Sequence, residues 1–347
     1  MKALLKLAKG EGNVALREMP EPTPGEGEAV IRVQVAGVCG TDVHIYYDRF
    51  PNTPPVILGH EFSGIIEQLG PDVETFQVGE RVVSENNPFA CGVCRICSLG
   101  YPNLCPQKKA MGIHSNGCFA EYVRLPANLL HRIPDNISFE EAALTEPLAV
   151  SVHAVSQQGG IEPGDIVLVF GPGAIGLLGA QVARAEGAGR VILIGTAQDE
   201  EARFSCAERL GIETLNIEKE SLERKIMDLT GGEGVDVIME ASGSEAAILQ
   251  GIKLLRKKGR MAIVGITGQK KISLDWDFMV NRGLSLFFSY GSRNFDWEKA
   301  LKFLSERKVR TLPLITHRFQ IKEWKEALRT LETLQAVRPV LLIGQAK

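Results

Sequence analysis

The sequence has no long uninterrupted apolar run, no block of basic residues and no secretory signal pattern after Met1. A helix that spans a bilayer needs about 20 consecutive apolar residues, so the first absence argues against a membrane segment. A formal net charge of −3 without a basic cluster gives no electrostatic basis for binding nucleic acid or a membrane surface. Together with the missing export pattern, these absences predict a cytoplasmic protein.

Four of the seven cysteines lie within one short segment, at Cys91, Cys94, Cys97 and Cys105. Without an export signal, such clustering favours a metal site over disulfides. Four thiolates at this spacing can enclose a tetrahedral zinc ion with no open position, which makes a structural site. The alternative is an iron–sulfur cluster, because the cysteine motif of bacterial ferredoxins ends in Cys-Pro, as Cys105-Pro106 does here. Bacterial ferredoxins have a shorter last spacing than the seven residues found here, so the pattern favours zinc.

A glycine-rich stretch in the middle of the chain predicts a nucleotide site. Residues 166–170 form an apolar run typical of a strand buried on both faces. A G-x-G-x-x-G turn follows, and a helical pattern then continues to Gly187. In this motif the glycines make a tight turn, let the backbone approach a pyrophosphate and let the helix pack closely on the strand. We therefore assign to cofactor binding Gly171, Gly173, Ala174, Ile175 and Gly176.

The pattern of apolar runs predicts two domains. Short strands at 29–35, 62–69 and 121–125, separated by proline and glycine, are typical of a mainly antiparallel domain. From residue 166 strands alternate with helices, which predicts an α/β, doubly wound parallel sheet. Its further strands are expected at 191–194, 214–217, 235–239, 260–264 and 284–289, and its helices are expected to end near Gly211, Gly231 and Gly259. We predict a dinucleotide-binding domain, 153–290, inserted into a catalytic domain of residues 1–152 and 291–347.

A second group of candidate metal ligands comprises Cys39, His60 and Glu61, with Glu146 further along the chain. A catalytic zinc site needs protein ligands and one position open to substrate or water. The group offers a thiolate, an imidazole and carboxylates. Each residue also has an ordinary role: Cys39 follows an apolar run and fits a core thiol, and His60 fits a hydrogen-bonded loop residue. The spacing alone does not decide between these interpretations.

Taken together, these motifs resemble the zinc-dependent medium-chain alcohol dehydrogenases, especially the branch of sorbitol (polyol) and threonine dehydrogenases. The resemblance covers essentially the whole chain. It implies a GroES-like catalytic domain, a Rossmann domain, two zinc ions per chain and reversible hydride transfer between a secondary alcohol of a polyol and NAD(P). Besides the cysteine segment and the glycine turn, the matching runs are Val38-Cys-Gly-Thr-Asp42, Gly59-His-Glu-Phe62, Gly117-Cys-Phe-Ala-Glu-Tyr122, Ile133-Pro-Asp-Asn136 and Glu146-Pro-Leu-Ala149.

The resemblance implies a ligand set for the catalytic zinc. Cys39, His60 and Glu61 match the ligands of sorbitol dehydrogenases, with water as the fourth. Glu146 matches the position where classical alcohol dehydrogenases place a cysteine ligand, so either Glu61 or Glu146 can be the direct ligand. Asp42 is expected to orient His60.

Three further residues receive roles from the resemblance. Thr41 is expected to accept the hydrogen bond of the substrate alcohol, and His44 is expected to carry the proton outward. Arg338 matches a family position that contacts the cofactor pyrophosphate. Homo-oligomers, either dimers or tetramers, are also implied, and the apolar run 284–290 is a candidate edge strand at a subunit boundary.

The choice between NADP and NAD depends on the end of the second strand. NAD-binding members usually place an acidic residue there, whereas this chain has Gly195 and Thr196. A missing carboxylate no longer repels a 2′-phosphate, and Thr196 and Arg203 are candidates to bind it, so the sequence favours NADP. The nearby acidic run that begins at Asp199 keeps NAD open.

Two other activities stay open, L-threonine 3-dehydrogenase and sugar-phosphate alcohol dehydrogenase. The sequence shows no added basic cluster that would bind a phosphate. A zinc-free, nucleotide-sensing relative is the alternative from another class. Such relatives lack the ligand set, whereas every ligand position is filled here. The sequence therefore favours an enzyme acting on a small-molecule polyol.

Overall fold

The computed structural model describes residues 1–344. The strands in chain order are β1 Lys2–Lys6, β2 Val14–Glu18, β3 Glu28–Gly37, β4 Val56–Ile57, β5 Phe62–Leu69, β6 Arg81–Ser84, β7 Tyr122–Pro126, β8 Leu130–Arg132, β9 Ile166–Phe170, β10 Arg190–Gly195, β11 Glu213–Asn216, β12 Val235–Glu240, β13 Leu255–Ile263, β14 Ser285–Phe288, β15 Ile315–Gln320 and β16 Arg338–Leu342. The α-helices are α1 Gly40–Tyr46, α2 Arg95–Ser98, α3 Phe139–Ala143, α4 Thr145–Val152, α5 Ala174–Glu186, α6 Ser205–Arg209, α7 Leu222–Leu229, α8 Glu245–Leu254, α9 Trp276–Arg282, α10 Asn294–Ser305 and α11 Trp324–Glu332.

The chain folds into two units, and each is made of segments that are separated along the sequence. Unit 1 comprises Met1–Glu146, Arg293–Ser305 and the chain from Leu314 onward. Unit 2 comprises Pro147–Ser292 and Glu306–Pro313. The domain boundaries expected from the sequence, after residues 152 and 290, stay predictions. Across the described residues, every helix falls short of the length and apolar character that crossing a membrane requires.

Unit 1 is built from two sheets. The larger has the order β15-β16-β3-β5-β6-β8, with β7 also paired to β3, and the smaller has the order β2-β1-β4. All pairs are antiparallel except β15 with β16. The predicted strand at 62–69 coincides with β5, and the one at 29–35 lies within β3. The prediction of a mainly antiparallel part is confirmed.

Helix α10 joins unit 1 through a buried histidine, although it comes late in the chain. The Nδ1 atom of His131 on β8 lies 2.5 Å from Glu298 Oε1 on α10, and the imidazole stacks on Trp297 at 5.7 Å between ring centroids. Burial lowers the pKa of His131, but hydrogen bonds to Glu85 and Glu298 outweigh this effect and raise it. The hydrogen bond to Glu298 and the stacking on Trp297 therefore hold α10 against β8.

Unit 2 is a six-stranded parallel sheet in the order β11-β10-β9-β12-β13-β14. The order reverses at β9, whose neighbours are β10 and β12, and this is the doubly wound nucleotide-binding arrangement. The residues of β9 after Ile166 are buried, as expected for a strand covered on both faces. The predicted α/β fold class is confirmed.

One predicted helix end is wrong. Gly211 and Gly231 have left-handed backbones, with φ of 66° and 60°, just after α6 and α7. Gly259 instead lies inside β13, because α8 already ends at Leu254 and the strand begins at the next residue. Pairing of Leu255 with Val235 starts the strand there. Tertiary pairing therefore overrides the local glycine signal.

Lys6 on β1 is a fully buried cation. Its Nζ donates to the carbonyl oxygens of Gly10 at 2.5 Å, Gly12 at 2.7 Å and Tyr46 at 3.3 Å. Tyr46 is the last residue of α1, where a positive charge is favourable to the helix dipole. Burial lowers the pKa of Lys6, while Asp48 raises it in part. The lysine therefore ties the loop after β1 to the end of α1.

We expect Lys6→Met to lower the free energy of unfolding by about 1–3 kcal/mol, because three carbonyl groups lose a charged donor. Thermal unfolding followed by circular dichroism measures the change. Lys9→Met is the matched control, since the Lys9 side chain is 57% exposed and its loss should change little. Equal midpoints for the two variants would contradict this role of Lys6.

Candidate zinc and cofactor sites

The pairing of β3 with β5 brings the candidate catalytic ligands together. Cys39 lies just after the end of β3, and His60 and Glu61 lie just before the start of β5. Because the strands are antiparallel, with Ala36 opposite Phe62, these two ends meet. The ligand atoms of Cys39, His60 and Glu61 all lie within 4.8 Å of one another. His60 and Glu61 are buried, and Cys39 is half-buried.

Helix α1 begins directly after Cys39 and was not expected from the sequence. The backbone N–H of Cys39 donates to Asp42 Oδ2 at 2.9 Å, which closes the first turn. Asp42 Oδ1 lies 3.8 Å from His60 Nδ1, which is too far for a hydrogen bond, so the orienting role of Asp42 stays a prediction. Thr41 is half-buried and His44 is exposed. Thr41 and His44 are three residues apart on the helix, so they share one face.

Arg338 forms a buried ion pair with Glu61. Its Nη1 donates to Glu61 Oε1 at 3.0 Å and to the carbonyl oxygen of Val38 at 3.1 Å. Arg338 is buried on β16, which pairs with β3. Within residues 1–344, the other carboxylate oxygen, Glu61 Oε2, is buried without a hydrogen-bond partner. A buried carboxylate oxygen without a partner is costly, and a metal ion would satisfy it. The contact of Arg338 with the cofactor stays a prediction.

Glu146 lies near this cluster but outside the group within 4.8 Å. Its Oε1 accepts a hydrogen bond from Asn86 Nδ2 at 2.6 Å, and Asn87 Nδ2 donates to Asn86 Oδ1 at 3.0 Å. Burial raises the pKa of Glu146 to about 7, with an opposing effect of His60 and a further increase from Glu61. The geometry therefore favours Glu61 over Glu146 as the carboxylate of the ligand group.

The cluster contains more acidic groups than basic groups. Burial raises the pKa of Asp42 as it does that of Glu146. Burial lowers the pKa of His60, but Cys39, Asp42 and Glu146 raise it well above its ordinary value. A half-buried thiol and three buried carboxyl groups share two basic groups, His60 and Arg338. This donor set fits a divalent cation, and it offers the sulfur, nitrogen and oxygen atoms that zinc prefers.

The four cysteines of the second cluster also converge. Their sulfur atoms lie within 4.8 Å of one another, with Cys91 at 3.6 Å from Cys105 and 4.0 Å from Cys97. A disulfide needs about 2.05 Å, whereas zinc–sulfur bonds of about 2.3 Å in a tetrahedron separate the sulfurs by about 3.8 Å. Burial and the Cys94 thiol raise the pKa of Cys97 to about 12. A cation is needed for all four to ionise, and the spacing fits zinc.

The glycine turn has the backbone that its motif requires. Gly171 has a φ of 91°, and a Cβ on Gly176 would lie 2.0 Å from the carbonyl oxygen of Gly171. Gly173 precedes α5 and provides no side-chain cap. The first N–H groups of α5, those of Ala174 and Ile175, therefore have no capping side chain and suit an anion such as a pyrophosphate. The residues assigned to the cofactor thus form one turn.

Two family models match the chain, the alcohol dehydrogenase GroES-like domain over residues 25–135 and the zinc-binding dehydrogenase over residues 174–306. A sorbitol dehydrogenase of Halalkalibacterium halodurans is 42% identical over 98% of this chain and 99% of its own length. The chain belongs to the zinc-type medium-chain alcohol dehydrogenase family. The predicted family and the predicted class of enzyme are confirmed.

Two solved structures resemble this dehydrogenase along its whole length. A zinc-binding dehydrogenase of Sinorhizobium meliloti 1021, bound to NADP, has a TM-score of 0.91 and 30% identity and covers 98% of both chains. An alcohol dehydrogenase of Escherichia coli CFT073, complexed with NADH, has a TM-score of 0.90 and 28% identity and covers 99% of both. Both nicotinamide coenzymes therefore occur among similar structures.

Two residues at these sites were missed from the sequence. Asn86 belongs to a polar run, Glu85-Asn86-Asn87, immediately after the strand β6. Polar residues at the end of a buried strand are a weak signal of function, and the contact with Glu146 depends on tertiary structure. Asp199 bonds to both Thr196 and Arg203, the two residues expected to bind a 2′-phosphate. The sequence indicated Asp199 only as part of an acidic run.

We expect Cys97→Ser to lower the zinc content of this dehydrogenase from two ions per chain to one, because one of four thiolates is lost. Elemental analysis of the purified protein measures the content. Cys206→Ser is the matched control, since Cys206 is a buried thiol outside both clusters. An unchanged content in Cys97→Ser would show that the four cysteines do not hold zinc.

Proposed function

We propose that this dehydrogenase oxidises a secondary alcohol of a polyol to a ketone, reversibly, with a nicotinamide coenzyme. The observation that supports the proposal most directly is the group of Cys39, His60 and Glu61, whose ligand atoms lie within 4.8 Å of one another. Zinc bound there would act as a Lewis acid and lower the pKa of a substrate hydroxyl. The 42% identity to a sorbitol dehydrogenase supports a polyol as the substrate.

The residues of α1 provide a route for the proton. Thr41 is half-buried one position after the start of the helix, beside Cys39. Its hydroxyl can accept a hydrogen bond from the substrate alcohol and donate its own to the next group. His44 lies exposed on the same face of the helix, where an imidazole can exchange a proton with water. We assign Thr41 to proton acceptance and His44 to proton transfer outward.

The carboxyl groups around the site favour a substrate with several hydroxyls and no phosphate. Glu146 is oriented by Asn86 and can accept a hydrogen bond from a second hydroxyl of the substrate. The guanidinium of Arg338 already pairs with Glu61, so its charge is balanced and does not favour a substrate phosphate. A substrate phosphate near the ligand group would face Asp42 and Glu146 as well. This charge balance favours a polyol over a sugar phosphate, and L-threonine is left for kinetics to decide.

We expect the zinc-loaded enzyme to show its highest kcat/KM with a polyol such as sorbitol, xylitol or galactitol, about tenfold or more above ethanol, because a second hydroxyl of a polyol can donate to Glu146 and ethanol has only one hydroxyl. Coupled absorbance assays with NAD and with NADP measure the ratios. A higher kcat/KM for ethanol or a long-chain alcohol than for every polyol would overturn the substrate class. A clear preference for L-threonine would assign the alternative activity.

Variants of Thr41 connect the measured activity to this site. Thr41→Ser keeps the hydroxyl and should stay close to wild type. Thr41→Val has nearly the same shape but no hydroxyl, so kcat should fall about 10²–10⁴-fold, the usual contribution of general acid–base catalysis. The zinc content of both variants should equal that of wild type. Equal kcat values for the two variants would remove Thr41 from the proton route.

We also propose that the chain forms a homo-oligomer through the edge of the unit 2 sheet. Strand β14 is the last strand of that sheet, and Phe288 at its end is 79% exposed. The other residues of β14 are half-buried, and an apolar edge strand with one unpaired side favours pairing with another chain. Tyr290 and Trp276 add exposed aromatic surface in the same unit.

Phe288→Lys should lower the oligomeric mass measured by light scattering, because a charge on the edge strand opposes pairing. Val78→Lys is the matched control, since Val78 is 63% exposed in unit 1 and far along the chain from β14. Its mass should equal that of wild type. A monomeric wild-type protein, or an unchanged mass for Phe288→Lys, would contradict the proposed interface.

A further inference from the structure

The residues at the end of β10, Gly195 and Thr196, are not acidic, but a carboxylate from another residue lies beside them in the fold. A Cβ added to Gly195 would lie 2.8 Å from Asp199 Oδ2, 2.8 Å from Pro172 Cγ and 2.9 Å from Phe204 Cε1. The side of Gly195 where a side chain would project is therefore filled. The carboxylate that fills it belongs to Asp199, four residues further along. Pro172 is part of the glycine turn, so the carboxylate lies beside that turn.

Asp199 is held in place by the residues that were expected to bind a 2′-phosphate. Its Oδ2 accepts hydrogen bonds from the backbone N–H of Thr196 at 3.0 Å and from the Thr196 hydroxyl at 3.2 Å. Its Oδ1 accepts from Arg203 Nη1 at 2.6 Å. The Asp199 side chain is 7% exposed and that of Arg203 is 20% exposed. Asp199 therefore engages both donors of Thr196 and the Nη1 of Arg203, while Arg203 Nε is buried without a hydrogen-bond partner among the described residues.

The neighbouring donors are engaged in the same way. The backbone N–H of Ala197 donates to Glu218 Oε2 at 3.0 Å, and Lys219 Nζ lies 2.5 Å from Glu200 Oε1. At the adjacent ends of β10 and β11, Asp199 thus pairs with Arg203 and Glu200 with Lys219, while Glu218 accepts from a backbone N–H. A phosphate monoester carries a charge of about −1.5 to −2 at neutral pH. It would have to displace two carboxylates to reach these donors.

We propose that Asp199 sets the coenzyme choice of this dehydrogenase and favours NAD, whose adenosine ribose has a free 2′-hydroxyl, over NADP. A carboxylate has about four acceptor sites, and three donors occupy Asp199, which leaves capacity for a hydroxyl donor but none for an anion. This inference rests on the proposed function in one respect, that the glycine turn binds a nicotinamide coenzyme. It reverses the preference for NADP that the sequence favours.

The test compares two probes that differ only in the 2′-phosphate, 5′-AMP and 2′,5′-ADP, by isothermal titration calorimetry on the full-length, zinc-loaded protein. Wild type should bind 5′-AMP more tightly than 2′,5′-ADP. Asp199→Asn keeps the shape and an acceptor for the Thr196 N–H, but removes the charge and releases Arg203. The affinity for 2′,5′-ADP should then rise about tenfold or more relative to 5′-AMP, since like-charge repulsion is replaced by attraction.

Glu208→Gln is the matched control, because it removes one negative charge from the exposed face of α6 in the same unit. Its ratio of the two affinities should equal that of wild type. NADH and NADPH titrations should show the same shift in Asp199→Asn. An Asp199→Asn ratio equal to that of wild type would overturn the proposal.

The wild-type measurement tests the inference without any variant. Tighter binding of 2′,5′-ADP than of 5′-AMP by the wild-type protein would overturn it, while the proposed dehydrogenase function would stand with NADP as coenzyme. If neither probe bound, the nucleotide site itself would be wrong, and the proposed function would fall together with this inference. The two failures are therefore distinguishable.

Discussion

The antiparallel pairing of β3 with β5 is the constraint on which the candidate catalytic site depends. It joins a thiol just beyond one strand to an imidazole and a carboxylate just before the other, although Cys39 and His60 are far apart in sequence. The third strand of this arrangement, β16, contributes Arg338 from near the end of the chain. A site built from strand ends has ligands with fixed backbones, which holds their separation within the narrow range that a metal needs.

Burial gives this arrangement its chemical character. Carboxyl groups in a low-dielectric interior are costly unless they are paired, and Arg338 satisfies one oxygen of Glu61 while the other stays without a partner. His60 is the second basic group of the cluster, and a metal ion would supply further positive charge. A metal ion bound here would therefore contribute to the stability of unit 1 as well as to its chemistry, because it would reduce repulsion among Asp42, Glu61 and Glu146. The cysteine cluster follows the same principle with thiolates alone.

The sequence predicted those features whose signals are local. The strand at 62–69 and the glycine turn have patterns of a few residues, and their structures match. Helix α1 was missed because its first turn depends on Asp42 capping the Cys39 N–H, in a segment without apolar periodicity. Gly259 misled because β13 begins as soon as Leu255 meets Val235. The hydrogen bond from Asn86 to Glu146 joins residues 60 positions apart, and no local pattern reports such a contact.

Gly195 shows why a motif position and a place in the fold are different things. In the sequence, the position at the end of β10 that is usually acidic in NAD-binding members is occupied by glycine. A coenzyme, however, responds to the charge in a volume beside the glycine turn, whichever residue supplies it. Because glycine has no side chain, that volume is open to a neighbour, and the turn of Thr196 to Asp199 returns a carboxylate to it within hydrogen-bonding distance of the Thr196 N–H. Position 195 of this chain therefore has no side chain of its own but has a negative charge beside it, and a 2′-phosphate placed there would meet the repulsion that an acidic residue at 195 would cause.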